Sequence, residues 1–135
     1  MVEIFKFRII TPEGIKFEEE VQYVEFTTKE GSMGTLTERL PIVSSLKIAP
    51  VRVKKSDNSS ESFAVHGGVV EMTGDEMSII TTAAEKPEDI DVETARRAME
   101  RAEEELKESQ DKFTKAKLQT KIEKNLLRVN ISKRK

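Results

Sequence analysis

After Pro87 the chain runs for 48 residues without a glycine or a proline, and all six glycines lie before that point. A stretch with neither breaker is free to be helical throughout, because nothing in it removes an amide donor or favours positive φ. The stretch before it is punctuated by turn residues and is rich in β-branched and aromatic side chains. The 135 residues therefore divide into two modules, 1–87 and 88–135.

The first module reads as strands. Phe5, Phe7 and Ile9 alternate with Lys6 and Arg8, the period-2 pattern of a half-buried strand. Thr11-Pro12-Glu13-Gly14 is a turn signature, and short strands continue through Ile15, Phe17, Val21 and Tyr23 to Phe26. Val51 to Lys54 runs into the polar loop Ser56 to Ser60, and Thr73-Gly74-Asp75-Glu76 turns into Met77 to Thr81. Closely spaced short strands with no helix between them predict a sandwich or barrel.

The second module reads as two helices. Asp89 or Asp91 is placed to cap the first, where a carboxylate accepts orphan amide protons. Ala95, Ala98, Ala102 and Leu106 form a narrow stripe of mostly small residues. Ser109-Gln110-Asp111 is the expected break, and so short a link implies an antiparallel hairpin. In the second helix Phe113, Ala116, Thr120 and Leu127 share one face, with Leu118, Ile122, Leu126 and Val129 near it. The expected lateral support is Glu100 and Glu103 to Glu105 facing Lys115, Lys117, Lys121 and Lys124, at about 0–1 kcal/mol per exposed pair. Such a hairpin is marginal in one arrangement and able to open.

The net charge of −2 hides a strong polarity. Residues 1–87 carry −4, 88–108 carry −5 and 109–135 carry +7. The chain has no cysteine and one histidine, His66, which excludes thiolate chemistry and multi-histidine metal centres. No apolar run approaches the roughly 18 residues of a membrane span, and no signal-peptide core stands at the N-terminus. A soluble intracellular or membrane-peripheral protein is expected.

No motif supports catalysis. Ser44-Ser45-Leu46-Lys47 has the S-x-x-K spacing of serine acyl enzymes but lacks the companion elements. His66-Gly67-Gly68 reads better as a close crossing of strands than as an oxyanion loop, since no G-x-S-x-G accompanies it. There is no phosphate-cradling glycine loop. The basic stretch from Lys112 onward holds a single aromatic, Phe113, which supplies base stacking poorly, so an acidic protein partner is preferred over nucleic acid.

Four elements in order then resemble the epsilon subunits of F-type ATP synthases. They are Ile10 to Gly14, Gly31-Ser32-Met33-Gly34-Thr35-Leu36 with Pro41-Ile42-Val43, Val65 to Glu71 with its Gly67-Gly68 pair, and Ala83 to Asp91 leading into the helices. Arg39 stands where many members have histidine. The resemblance implies a β-sandwich of about ten strands (1–87) followed by an antiparallel regulatory hairpin (88–135). It implies a non-catalytic rotor subunit at the cytoplasmic face of a bacterial plasma membrane, seated on the gamma subunit and on the polar loops of the c-ring. There it would couple ion flow to ATP synthesis. The hairpin, when extended into the alpha/beta catalytic hexamer, would inhibit ATP hydrolysis. Lys115, Lys117, Lys121, Lys124 and Arg128 would then meet an acidic segment of the beta subunit.

No cofactor is required on this reading, but some members bind a regulatory ATP in the folded hairpin. The residues matching that site are Glu85, Ile90, Asp91, Ala95, Arg101 and Arg128. The motif's arginine is Thr94 here, and Lys124 replaces another, losing the planar fork that grips phosphate bidentately. Asp91 is read equally well as a helix cap. The alternative from another class is a free-standing binding module with a basic tail; an enzyme of its own ranks third.

Overall fold

The computed structural model describes residues 4–34 and 41–132 and resolves into two compact units, Met1–Glu85 and Lys86–Lys135. Thr35, Leu36 and Arg39 of the sequence reading lie outside the described residues, as do the last three basic residues.

Among the described residues the first unit is one sheet of seven strands: β1 (Phe5–Thr11), β2 (Gly14–Thr28), β3 (Gly31–Gly34), β4 (Ile42–Lys55), β5 (Ser60–Thr73), β6 (Glu76–Ile80) and β7 (Ala84–Glu85). Strand β1 pairs antiparallel with β2 on one side and parallel with β6 on the other. The path β1–β6–β5–β4–β2 thus closes on itself, with β3 added to β2 and β7 to β5.

Where about ten strands were expected, the described residues form seven, because the long strands each serve two places. The first half of β2 pairs with β1 and its second half with β4, with register shifts at Val21/Tyr23 and Glu25/Thr28. Such irregularities bend a strand without ending it, so a count of short apolar runs sees two strands where the chain makes one. Similarly, β5 pairs along most of its length with β4 and also carries β6 and β7.

Alternation fills the interior. Phe5, Phe7 and Ile9 are buried, and Phe7, Phe17 and Phe63 interlock with centroids 5.8 and 5.3 Å apart. The turns use a repeated device. The Thr11 hydroxyl accepts from the Glu13 amide and donates to the Gly14 carbonyl, and Thr28 does the same with Glu30 and Gly31. Residues 44 and 47 lie within β4, where an odd offset sends side chains to opposite faces. This separates Ser44 from Lys47 and removes the S-x-x-K reading.

The second unit opens with a 3-10 turn at Pro87–Asp89, followed by α1 (Val92–Glu108) and α2 (Lys112–Ser132). A three-residue link, 109–111, joins them as a hairpin, and the 3-10 turn lies against α2. No described helix is long and apolar enough to cross a membrane.

Candidate regulatory hairpin and docking surface

Each helix of the hairpin begins at an aspartate. Asp91, the cap of α1, accepts from the Thr94 amide at 3.1 Å, and Asp111 accepts from the Thr114 amide at 3.1 Å and the Thr114 hydroxyl at 2.7 Å. The Thr94 hydrogen bonds hold the Asp91 carboxyl below the ordinary carboxylate range, with the Arg97 charge a smaller contributor. Asp111 is shifted the same way by Thr114.

The seam between the helices is thin. In α1 only Ala95 and Ala102 are buried. An alanine methyl contributes about 0.8 kcal/mol on burial, which is small beside the cost of ordering a helix. In α2 the inward stripe is Leu118, Ile122, Asn125 and Val129, at spacings that keep one helical face. This corrects the face expected from Phe113, Ala116, Thr120 and Leu127. Ala116 and Thr120 are exposed, and Phe113 is 69 % exposed with the Lys117 ammonium 4.9 Å from its ring centroid. Leu127 is buried on the opposite side of the helix.

The expected cross-hairpin ion pairs do not form. Among the described residues, none of Glu100, Glu103, Glu104 and Glu105 pairs with Lys115, Lys117, Lys121 or Lys124. The four glutamates, Lys115, Lys117 and Lys121 are exposed, and Lys124 is half-buried. Charged heads on the outer faces stay hydrated, since pairing long exposed side chains returns little. Arg96 instead pairs with Glu93 on its own helix.

The residues proposed for a nucleotide separate into groups. Asp91 caps α1, Ile90 and Ala95 are buried, and Arg101 lines an open groove of about 310 Å³ with Thr94, Arg97 and Ala98. Arg97, at spacings of three and four residues from Thr94 and Arg101, stands on their face of the helix. Arg128 is half-buried on α2, its Nη1 donating to the Asn125 carboxamide at 3.1 Å. Glu85 lies in the first unit at the end of β7, where its Oε1 is 2.8 Å from Nε2 of buried His66.

The β unit carries a surface that sequence reasoning missed. Register places Val69, Ile80, Ile10 and Ile15 side by side across β5, β6, β1 and β2. Directly opposed residues point to the same face. Ile80 is 48 % and Ile15 55 % exposed, and Val43 adds a further exposed apolar side chain from β4. The row is invisible along the chain because its members come from four separate strands. Beside it, the His66-Gly67-Gly68 segment is a close strand crossing: a Cβ on Gly68 would lie 2.1 Å from the Ile80 carbonyl oxygen.

Comparison with known proteins follows these two units. The family model described as the ATP synthase Delta/Epsilon chain β-sandwich domain matches residues 4–87, and the one described as its long α-helix domain matches 88–133. The chain is 34 % identical to an ATP synthase epsilon chain of Levilactobacillus brevis, over 93 % of this chain and 91 % of the relative. It is 41 % identical to that of Halalkalibacterium halodurans, over 82 % and 84 %. Its fold is similar to a chain in the structure of the Euglena gracilis mitochondrial ATP synthase, with a TM-score of 0.81 at 20 % identity, covering 94 % of this chain and 81 % of that one.

Proposed function

The chain belongs to the ATP synthase Delta/Epsilon family as a non-catalytic epsilon chain, and from that premise we propose that it is a rotor component whose hairpin restrains ATP hydrolysis. The observation that carries the regulatory part is the hairpin's seam. Segments of net −5 and +7 are closed by a few small apolar contacts, with no ion pair between the four glutamates and four lysines expected to bridge it. Only a few kcal/mol then separate a closed from an open arrangement, the condition for a switch.

In the open state the basic residues Lys115, Lys117, Lys121, Lys124 and Arg128 engage an acidic segment of the beta subunit in the alpha/beta hexamer. The β unit docks through the apolar row of Ile10, Ile15, Val69 and Ile80 on the foot of the gamma subunit, with neighbouring loops reaching the polar loops of the c-ring. An exposed apolar row of this kind is characteristic of a protein interface. The complex holds the chain peripheral to the membrane, at its cytoplasmic face.

A regulatory ATP fits the hairpin through its phosphates. Arg97 and Arg101, with Thr94 and Ala98, line one groove of α1, and guanidinium forks suit polyphosphate oxygens. Arg128 of α2 is the candidate for bracing the second helix to the same ligand. Glu85 holds His66 Nε2 at 2.8 Å. ATP bound there would favour the closed hairpin by adding charge-assisted bonds that the open form lacks.

The test is removal of residues 88–135 in the assembled complex. Gamma association should persist and ATPase activity should rise; an unchanged ATPase would refute the inhibitory role.

A further inference from the structure

Between Leu118 and Val129 the inward stripe of α2 is apolar except at Asn125, which is only 4 % exposed. Its carboxamide nitrogen donates to the Lys121 carbonyl at 2.9 Å, and its oxygen accepts from Arg128 at 3.1 Å. Both partners belong to α2. A carboxamide offers two donor hydrogens and two acceptor lone pairs, so half of its capacity is met here. Asn125 and Ala95 each stand 15 residues from Gln110, the middle of the link. Two antiparallel helices of equal rise bring such residues to one level. What α1 offers at that level is the buried methyl of Ala95, which can neither donate nor accept.

Closing the hairpin therefore strips water from half of the carboxamide and returns no bond across the seam. Opening keeps both bonds within α2 and rehydrates the remainder. An apolar residue at the same position would reverse this balance, since burial would then favour closure.

We infer that Asn125 is the built-in weak point of the hairpin, a buried polar residue that biases the helix pair toward opening. The bias is a property of the isolated chain. Its consequence for ATP hydrolysis rests on the inhibitory reading above.

The experiment uses the full chain with Asn125→Leu, which keeps the branched four-atom shape of the side chain and removes the carboxamide. Asn130→Leu is the control: Asn130 is exposed on the same helix, so the gain in helix propensity is shared and the seam is untouched. Helices of this length are marginal when unsupported, so amide hydrogen exchange across α1 and α2 reports opening. Exchange should slow about tenfold more for Asn125→Leu than for Asn130→Leu. The pair Asn125→Ala and Asn130→Ala repeats the comparison without bulk. Failure of both Asn125 variants to slow exchange beyond their controls, including failure to form the hairpin, overturns the inference. ATPase assays of the complex separate the two claims: slowed exchange with unchanged inhibition keeps the weak point and refutes the inhibitory reading.

Discussion

Replacing Gly68 by alanine probes the crossing of β5 and β6 that carries the apolar row. Gly68 has φ +113°, and a Cβ there would meet the Ile80 carbonyl oxygen at 2.1 Å, the Thr81 Cα at 3.0 Å and the Ile80 carbonyl carbon at 3.1 Å. All three are backbone atoms, so no side chain can swing away. The neighbouring Gly67 also has positive φ, +80°, but its Cβ would find nothing nearer than the Leu46 carbonyl oxygen at 3.7 Å. Both substitutions incur about 1–2 kcal/mol of backbone strain. Only Gly68→Ala adds the displacement of a packed strand, about 1–3 kcal/mol. For a domain of this size each kcal/mol moves Tm by about 4–8 °C, so Gly68→Ala should melt roughly 10 °C below Gly67→Ala. Circular dichroism of the full chain at a strand-sensitive wavelength reads the difference. Equal melting, or a lower Tm for Gly67→Ala, would refute the crossing geometry.

Further outcomes follow from the hairpin and the row. Because its folded pKa is depressed, Asp91 stabilises α1 above its unfolded pKa of about 3.9, and that contribution is lost as pH falls through the folded value. Carboxyl NMR should place the Asp91 midpoint below that of an exposed uncapped aspartate; a midpoint at or above it contradicts the capping account. Thr94→Arg adds a third guanidinium to the groove and should tighten ATP binding by the isolated chain about tenfold in calorimetry, with no gain refuting the groove as the site. Ile80→Asp puts a charge in the apolar row at an exposed position, so it should weaken co-purification with gamma while leaving the chain's Tm within a few degrees. Undiminished co-purification would move gamma docking elsewhere.

The alternation of Phe5, Phe7 and Ile9 was readable because strand side chains alternate with period 2, and the helices were readable from the absence of breakers. What escaped was whatever depends on pairing between distant segments. The closure of the sheet rests on a parallel pairing of β1 with β6, for which neither strand carries a local signal. The apolar row escaped for the same reason. On α2, Phe113, Ala116 and Thr120 have the periodicity of a buried stripe yet stay exposed, since the stripe beginning at Leu118 is the one that meets apolar cover. The expected Glu–Lys pairs followed from charge alone, which ignores that exposed ions lose little by remaining in water. Asp91 was legible as a cap from its place before a helical run.

The central claim, that opening of this hairpin is what restrains hydrolysis, is tested most directly by pinning it shut. The chain has no cysteine, so Ala102→Cys with Leu118→Cys introduces the only thiol pair. Both positions are buried, and they stand equally far from Gln110 on facing helices. The measurement is the ATPase rate of the reconstituted complex carrying this variant, oxidised and then reduced. The account predicts uninhibited hydrolysis with the disulfide formed and restored inhibition after reduction. Equal inhibition in both states, with the disulfide verified, would contradict it.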